Sequence, residues 1–133
     1  MTRYRHAAAL LAAAWLACTG LASAEEVRPY RITDGKVDRQ TYNGYRRYNA
    51  ACNHCHGPDG VGSSFAPSLI QMRPAYDTFA AAVLYGRTNG TSVMKGFADD
   101  PNIAPYLDDL YAYLLARADG ALGRGRPVLD EGR

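Results

Sequence analysis

Residues 52–56 constrain this chain more than any other part of its sequence. They read C-N-H-C-H, which places two thiols and an imidazole at positions i, i+3 and i+4. On a helical turn these three positions share one face. Each thiol can add to one vinyl group of a porphyrin, and the imidazole offers a nitrogen to the iron. The spacing therefore predicts one covalent haem c, attached at Cys52 and Cys55 with His56 as an axial ligand.

Other uses of paired cysteines fit the sequence less well. A thioredoxin-like C-x-x-C is expected beside a β-α-β pattern, and a structural zinc ion needs four ligands. The sequence has neither that pattern nor a second Cys or His cluster after the motif. A disulfide between Cys52 and Cys55 would close a very small loop and stabilise little. His54 lies on another side of the turn than His56, so it is expected to face solvent or the haem edge.

The iron of an electron-transfer haem usually takes a second axial ligand, Met or His. After the initial methionine, the chain offers Met72 and Met94. Met94 lies in the turn-rich segment T-N-G-T-S-V-M-K-G-F, and such a loop can cross the haem face opposite His56. Met72 sits where a methionine commonly fills a gap in the core. Met94 is the predicted ligand, with Met72 as the alternative.

The first 24 residues have the pattern of a secretory signal peptide. A basic start is followed by the apolar run AAALLAAAWLA and by A-S-A at residues 22–24, a typical cleavage site. We predict that residues 1–24 are removed and that the mature chain lies in the periplasm. The apolar run is shorter than the about 20 residues that span a bilayer, and no later segment is predicted to span one. Lipid attachment at Cys18 is the alternative, although Trp15 stands where such signals usually carry Leu.

Charge argues against a nucleic-acid partner. The chain has 15 Lys and Arg against 13 Asp and Glu, and two of the arginines lie in the predicted signal peptide. The mature chain is therefore close to neutral, whereas nucleic-acid binding calls for a clustered basic surface. A small domain with much Ala and Tyr buries a modest core, and a haem would supply the missing interior.

Capping residues, Gly stops and apolar spacing predict one all-α domain. It covers residues 38–120, with an extended lead-in at 25–37 that turns at Asp34-Gly35, and a flexible Gly- and Arg-rich tail at 121–133. No strand is predicted. The predicted helices run from Asp38 or Thr41 to about Cys55, from Asp77 or Thr78 to Tyr85, and from Asn102 or Pro105 to Ala118.

Together these features resemble a class I cytochrome c. The order matches that family: first helix, C-x-x-C-H, a Pro loop, a middle helix, a Met loop and a C-terminal helix. The resemblance implies three to five helices wrapped around one covalent haem. It also implies that the Pro67 carbonyl accepts a hydrogen bond from the His56 ring, which would orient that ring, and that Leu69 packs on the haem edge. Gly44 and Tyr48 would cross the C-terminal helix near Leu110, Tyr113 and Leu114.

The flanking segments resemble more narrowly the cytochromes c that accept electrons from PQQ-dependent methanol and alcohol dehydrogenases. These segments are Y-R-I-T-D-G-K-V-D, T-Y-N-G-Y-R-R-Y, C-H-G-P-D-G-V-G-S-S-F-A-P-S-L and Y-L-D-D-L-Y-A-Y-L-L-A-R-A-D-G-A-L-G-R-G-R-P. The resemblance implies an electron carrier, not an enzyme, that passes single electrons from such a dehydrogenase to a downstream cytochrome or terminal oxidase. One departure is that many relatives have Pro after the ligand Met, whereas Met94 precedes Lys95.

Two other functions stay open at this point. A haem protein that binds or senses a small ligand would need an open position on the iron. An electron-transfer module of another respiratory complex would use the same haem chemistry with a different partner.

Overall fold

The computed structural model describes residues 28–132, so the predicted signal peptide and its cleavage site lie outside the described residues. In this part the chain forms five α-helices and five very short strands. The helices are α1 (Arg39–Ala51), α2 (Asn53–His56), α3 (Leu69–Met72), α4 (Tyr76–Tyr85) and α5 (Leu107–Ala118). The strands are β1 (Ile32–Thr33), β2 (Lys36–Val37), β3 (Arg87–Asn89), β4 (Ser92–Met94) and β5 (Val128–Leu129). Across residues 28–132, every helix is too short or too polar to cross a membrane.

The first helix begins where one of its two predicted caps places it. The carboxylate of Asp38 accepts a hydrogen bond from the Thr41 amide at 2.7 Å, which satisfies one of the free amides at the helix start. The helix is shorter than predicted, because α1 ends at Ala51 and Cys52 separates it from α2. The attachment motif therefore occupies its own turn at the end of α1.

The two later long helices end at the predicted residues but begin elsewhere. Ala75 precedes α4, so Asp77 and Thr78 both lie inside its first turn and neither caps it. Pro105 belongs to a separate 3-10 turn at Ala104–Tyr106, and α5 starts only at Leu107. Neither helix has a capping side chain, and such a residue is what predicts a helix start from sequence.

The centre of the fold is the crossing of α1 and α5. Gly44 is buried, and a Cβ placed on it would lie 1.9 Å from the Asp109 carbonyl oxygen and 2.9 Å from the Tyr113 Cβ. Without that side chain the two backbones meet, and the fully buried rings of Tyr48 and Tyr113 pack at 5.5 Å between centroids. Leu110 and Leu114 are buried beside them. The crossing implied by the family resemblance is confirmed.

The prediction that the chain contains no strands is wrong. β1 and β2 pair in antiparallel fashion across Asp34 and Gly35, which both have positive φ, as a type I′ hairpin turn requires. β3 and β4 form a second antiparallel pair across Gly90. Each strand has only two or three residues, too few to show the apolar alternation by which strands are recognised in a sequence.

The C-terminal residues return to the start of the fold. Leu122 is buried, and β5 pairs in parallel with β2, with Val128 opposite Lys36. The amide of Asp130 also donates to the carbonyl of Val37 at 2.8 Å. Through these contacts, the segment predicted to be a flexible tail packs against the domain.

We expect Gly44→Ala to destabilise the protein, although Ala is the better helix former. The added methyl group would overlap the α5 backbone, and overpacking of this kind costs about 1–3 kcal/mol. Urea unfolding of the holoprotein, followed by far-ultraviolet circular dichroism, measures the change.

The matched control is Ala50→Gly, at an exposed position of the same helix. It should lower the free energy of unfolding by about 1 kcal/mol through helix propensity alone. A Gly44→Ala variant as stable as the wild type would contradict the close crossing.

Candidate functional site

The C-N-H-C-H motif forms one helical turn at the end of α1. The amide of Cys52 donates to the Tyr48 carbonyl at 2.8 Å, which ties the start of the motif to α1. The amides of Cys55 and His56 then donate to the Cys52 carbonyl at 3.2 and 3.0 Å. The three predicted haem-binding residues therefore share one turn, at i, i+3 and i+4.

The two thiols differ in their environment. Cys52 is partly buried against the core cluster, whereas Cys55 is exposed, and both are free. Burial, and then the neighbouring Cys55, raises the pKa of Cys52 to about 11. At neutral pH the Cys52 thiol is therefore protonated in the haem-free chain. Both thiols are available for thioether bonds.

His56 is held in the form that a metal centre requires. Its side chain is buried, and its Nδ1 lies 2.9 Å from the Pro67 carbonyl oxygen. A carbonyl can only accept a hydrogen bond, so Nδ1 carries a proton and Nε2 is the ring nitrogen left to bind iron. The contact also sets the orientation of the ring.

The loop after the motif brings Pro67 to His56. The Gly62 amide donates to the His56 carbonyl at 2.7 Å, and the Tyr48 hydroxyl donates to the carbonyl of Gly57. Gly62 has a φ of +89°, and a Cβ there would lie 2.7 Å from the Ser68 amide nitrogen. Glycine at this position thus allows the two ends of the loop to touch.

Asp59 was not singled out in the sequence, yet it connects this loop to the C-terminal segment. The residue is buried with a φ of +59°, and its carboxylate accepts hydrogen bonds from the Gly125 amide at 3.1 Å and from Arg124 Nε at 3.2 Å. Its backbone carbonyl accepts from Arg117 Nε at 3.4 Å. In the sequence, this contact was indicated only by the opposite charges of an acidic residue after the motif and an Arg-rich C-terminal segment.

The remaining predicted site residues differ in their exposure to solvent. Met94 is partly buried in β4 and Leu69 is partly buried at the start of α3, and both pack against the core cluster. Met72, the alternative ligand, is 48 % exposed at the end of α3. His54 is exposed, as expected for the side of the turn away from His56.

Large apolar side chains stand exposed close in sequence to Pro67, to Met94 and at the end of α4. Phe65 and Val93 are each 75 % exposed, and Tyr85 is 78 % exposed. Side chains of this size are stabilised when an apolar surface covers them. Two free thiols, one imidazole and one thioether are also the donor set of haem c, so the residues present fit that group.

The comparisons with known proteins point to the same cofactor. Residues 39–114 match the family described as cytochrome c oxidase, cbb3-type, subunit III. Cytochrome c-553I of Paracoccus denitrificans is 44 % identical over 116 residues, which cover 82 % of this chain and 51 % of that protein. Cytochrome c-555 of Methylococcus capsulatus is 37 % identical over 92 residues, which cover 67 % of this chain and 72 % of that protein. The chain thus spans about half the length of cytochrome c-553I.

A solved structure shares the fold as well as the sequence. The crystal structure of the c-type cytochrome XoxG from Methylobacterium extorquens AM1 superposes with a TM-score of 0.71 at 47 % identity, covering 78 % of this chain and 67 % of that one. The fold is therefore a cytochrome c fold, and the cofactor is haem c. The chain belongs to the class I cytochromes c.

Proposed function

We propose that this protein is a periplasmic single-electron carrier with one haem c. Cys52 and Cys55 attach the haem, and His56 and Met94 are its axial ligands. The observation that carries the proposal is the hydrogen bond between the His56 ring and the Pro67 carbonyl. His56 lies on the same turn as the two free thiols of Cys52 and Cys55. This hydrogen bond engages Nδ1 and orients the ring, which leaves Nε2 to bind iron at the site of attachment.

The cofactor supplies a one-electron iron couple when bound. Residues of this chain would set its surroundings: the Pro67 carbonyl orients the imidazole, and Leu69 would pack against the haem edge. A Met thioether as the second ligand stabilises the reduced state and raises the potential. Met94 suits that role because it is partly buried against the core, whereas Met72 is half exposed.

The proposed organisation follows the sequence boundaries. Residues 1–24 direct export and are removed, residues 25–37 lead into the domain, and residues 38–120 form the cytochrome domain with α1 to α5 around the haem. Residues 121–133 form the tail. Export to the periplasm is supported by the basic, apolar and small-residue order of the first segment.

We propose a PQQ-dependent methanol or alcohol dehydrogenase as the electron donor and a downstream cytochrome or oxidase as the acceptor. The flanking segments that resemble the cytochromes c of such dehydrogenases support this choice. Arg87 and Lys95, on either side of Met94, are exposed and can steer an acidic partner surface toward this loop. The guanidinium of Arg47 is less available to a partner protein, because it stacks 3.8 Å from the centroid of the Tyr106 ring.

The family match supports a second candidate, since its description names a subunit of an oxidase. In that case the chain would be an electron-transfer module of a respiratory complex. Comigration of the native protein with an oxidase on a native gel would favour the module. Migration as a single small chain would favour the carrier.

We expect Met94→Ala to abolish the Met–iron charge-transfer band of the oxidised protein and to lower its reduction potential, because a soft thioether ligand is lost. Met72→Ala should leave both unchanged. Visible spectra and redox titration measure these effects. Loss of the band in Met72→Ala alone would contradict the assignment, and carbon monoxide binding to the reduced wild type would favour a sensor.

We expect a purified PQQ methanol dehydrogenase, supplied with methanol, to reduce the haem of the holoprotein. The rate should fall as ionic strength rises, because the exposed charges near Met94 are screened. Stopped-flow absorbance follows the reaction, with heat-inactivated dehydrogenase as the control. An absence of reduction at every salt concentration would reject this donor and leave the carrier proposal intact.

A further inference from the structure

Met94 lies in a loop whose sequence has no proline to restrict the backbone. We define the ligand loop as residues 86–98, which comprise β3, the turn at Gly90, β4 and the four residues after Met94. Lys95 follows Met94, and lysine leaves φ free where proline would fix it. An axial ligand must nevertheless stay within bonding distance of the iron. Other contacts in the loop must therefore restrict the position of Met94.

The loop is hydrogen-bonded to the end of α4. The Phe97 amide donates to the carbonyls of Val83 and Leu84 at 2.9 and 3.1 Å, and the Ala98 amide donates to the Leu84 carbonyl at 3.1 Å. Carbonyls in the last turn of a helix have no partner within that helix. The C-terminal side of the ligand loop supplies those partners and is fixed to α4 by them.

Two glycines bring the ends of the loop into backbone contact. A Cβ on Gly86 would lie 2.5 Å from the Met94 carbonyl oxygen, and a Cβ on Gly96 would lie 2.5 Å from the Leu84 carbonyl oxygen. Gly86 also has a φ of +78°, which few other residues adopt. Neither position has room for a methyl group, so the contact depends on both glycines.

The side chains on either side of Met94 complete this arrangement. The hairpin register places Arg87 opposite Met94, so the backbone of β4 is paired up to the ligand itself. The Phe97 ring, three residues later, is buried in the core, and Lys95 Nζ lies 4.8 Å from the centroid of that ring. Met94 thus lies between a paired strand and a buried anchor.

We propose that Gly86 and Gly96 are positioning residues for the axial ligand Met94. Their close approach, together with the amides of Phe97 and Ala98, forms a backbone clasp between the ligand loop and α4. The clasp keeps Met94 at the iron without a proline at position 95. This inference rests on the proposed ligation by Met94.

The test uses Gly96→Ala in the holoprotein. The φ of Gly96 lies outside the left-handed region, so the change adds only a methyl group, directed at the Leu84 carbonyl. We expect the haem to remain covalently bound, with the Met–iron band weakened. Imidazole should bind the oxidised iron about tenfold more tightly, because its apparent affinity rises with the fraction of molecules in which Met94 is released.

Gly123→Ala is the matched control. The φ of Gly123 is also outside the left-handed region, and its added Cβ would meet nothing within 4 Å. Its Met–iron band and imidazole affinity should equal those of the wild type. If Gly96→Ala behaves like Gly123→Ala, the clasp is rejected. If Met94→Ala leaves the band intact, the proposed ligation is rejected instead.

Amide exchange in the wild-type holoprotein tests the clasp without a variant that must fold. The amides of Phe97 and Ala98 should exchange slowly, because both are hydrogen-bonded to carbonyls in the last turn of α4. Exchange at both amides as fast as at Gly90, in the turn of the hairpin, would overturn the proposal.

Discussion

The contact between α1 and α5 at Gly44 determines where the haem site can form. Because Gly44 lets the two backbones touch, Tyr48 and Tyr113 become fully buried between the helices. Tyr48 then extends its hydroxyl to the carbonyl of Gly57, directly after His56. Burial raises the pKa of Tyr48 to about 12, so this hydroxyl remains a hydrogen-bond donor across the physiological range. The helix crossing and the position of the imidazole are therefore parts of one arrangement.

The loop that follows the motif is restrained from several directions. Pro67 contacts the His56 ring, Gly62 contacts its backbone carbonyl, and the C-terminal segment contacts Asp59. Most of these contacts use backbone amides and carbonyls rather than long side chains. A contact made by backbone groups does not require a long side chain to lose its rotamer freedom, so the arrangement favours a rigid ligand. A rigid donor set suits the proposed electron carrier, because its haem would then gain and lose electrons without rearranging.

The parts of the molecule that the sequence predicted well were those with a short-range chemical signal. The C-N-H-C-H spacing, the Asp38 cap and the Asp34-Gly35 turn each depend on neighbouring residues, and the structure contains the turn and the cap as predicted. The starts of α4 and α5 were missed because neither has a capping side chain. The strands were missed because pairs of two or three residues show no periodicity. Asp59 was missed because its partners lie far along the chain, and no local pattern records such a contact.

The hydrogen bonds at Asp59 join the loop after His56 to residues far along the chain. The Gly125 amide is 66 residues away from the carboxylate it reaches, and contacts of high sequence separation close late in folding because chain entropy opposes them. A premature stop before Arg124 would therefore remove two of the hydrogen bonds that restrain the loop after His56, without changing a single haem ligand.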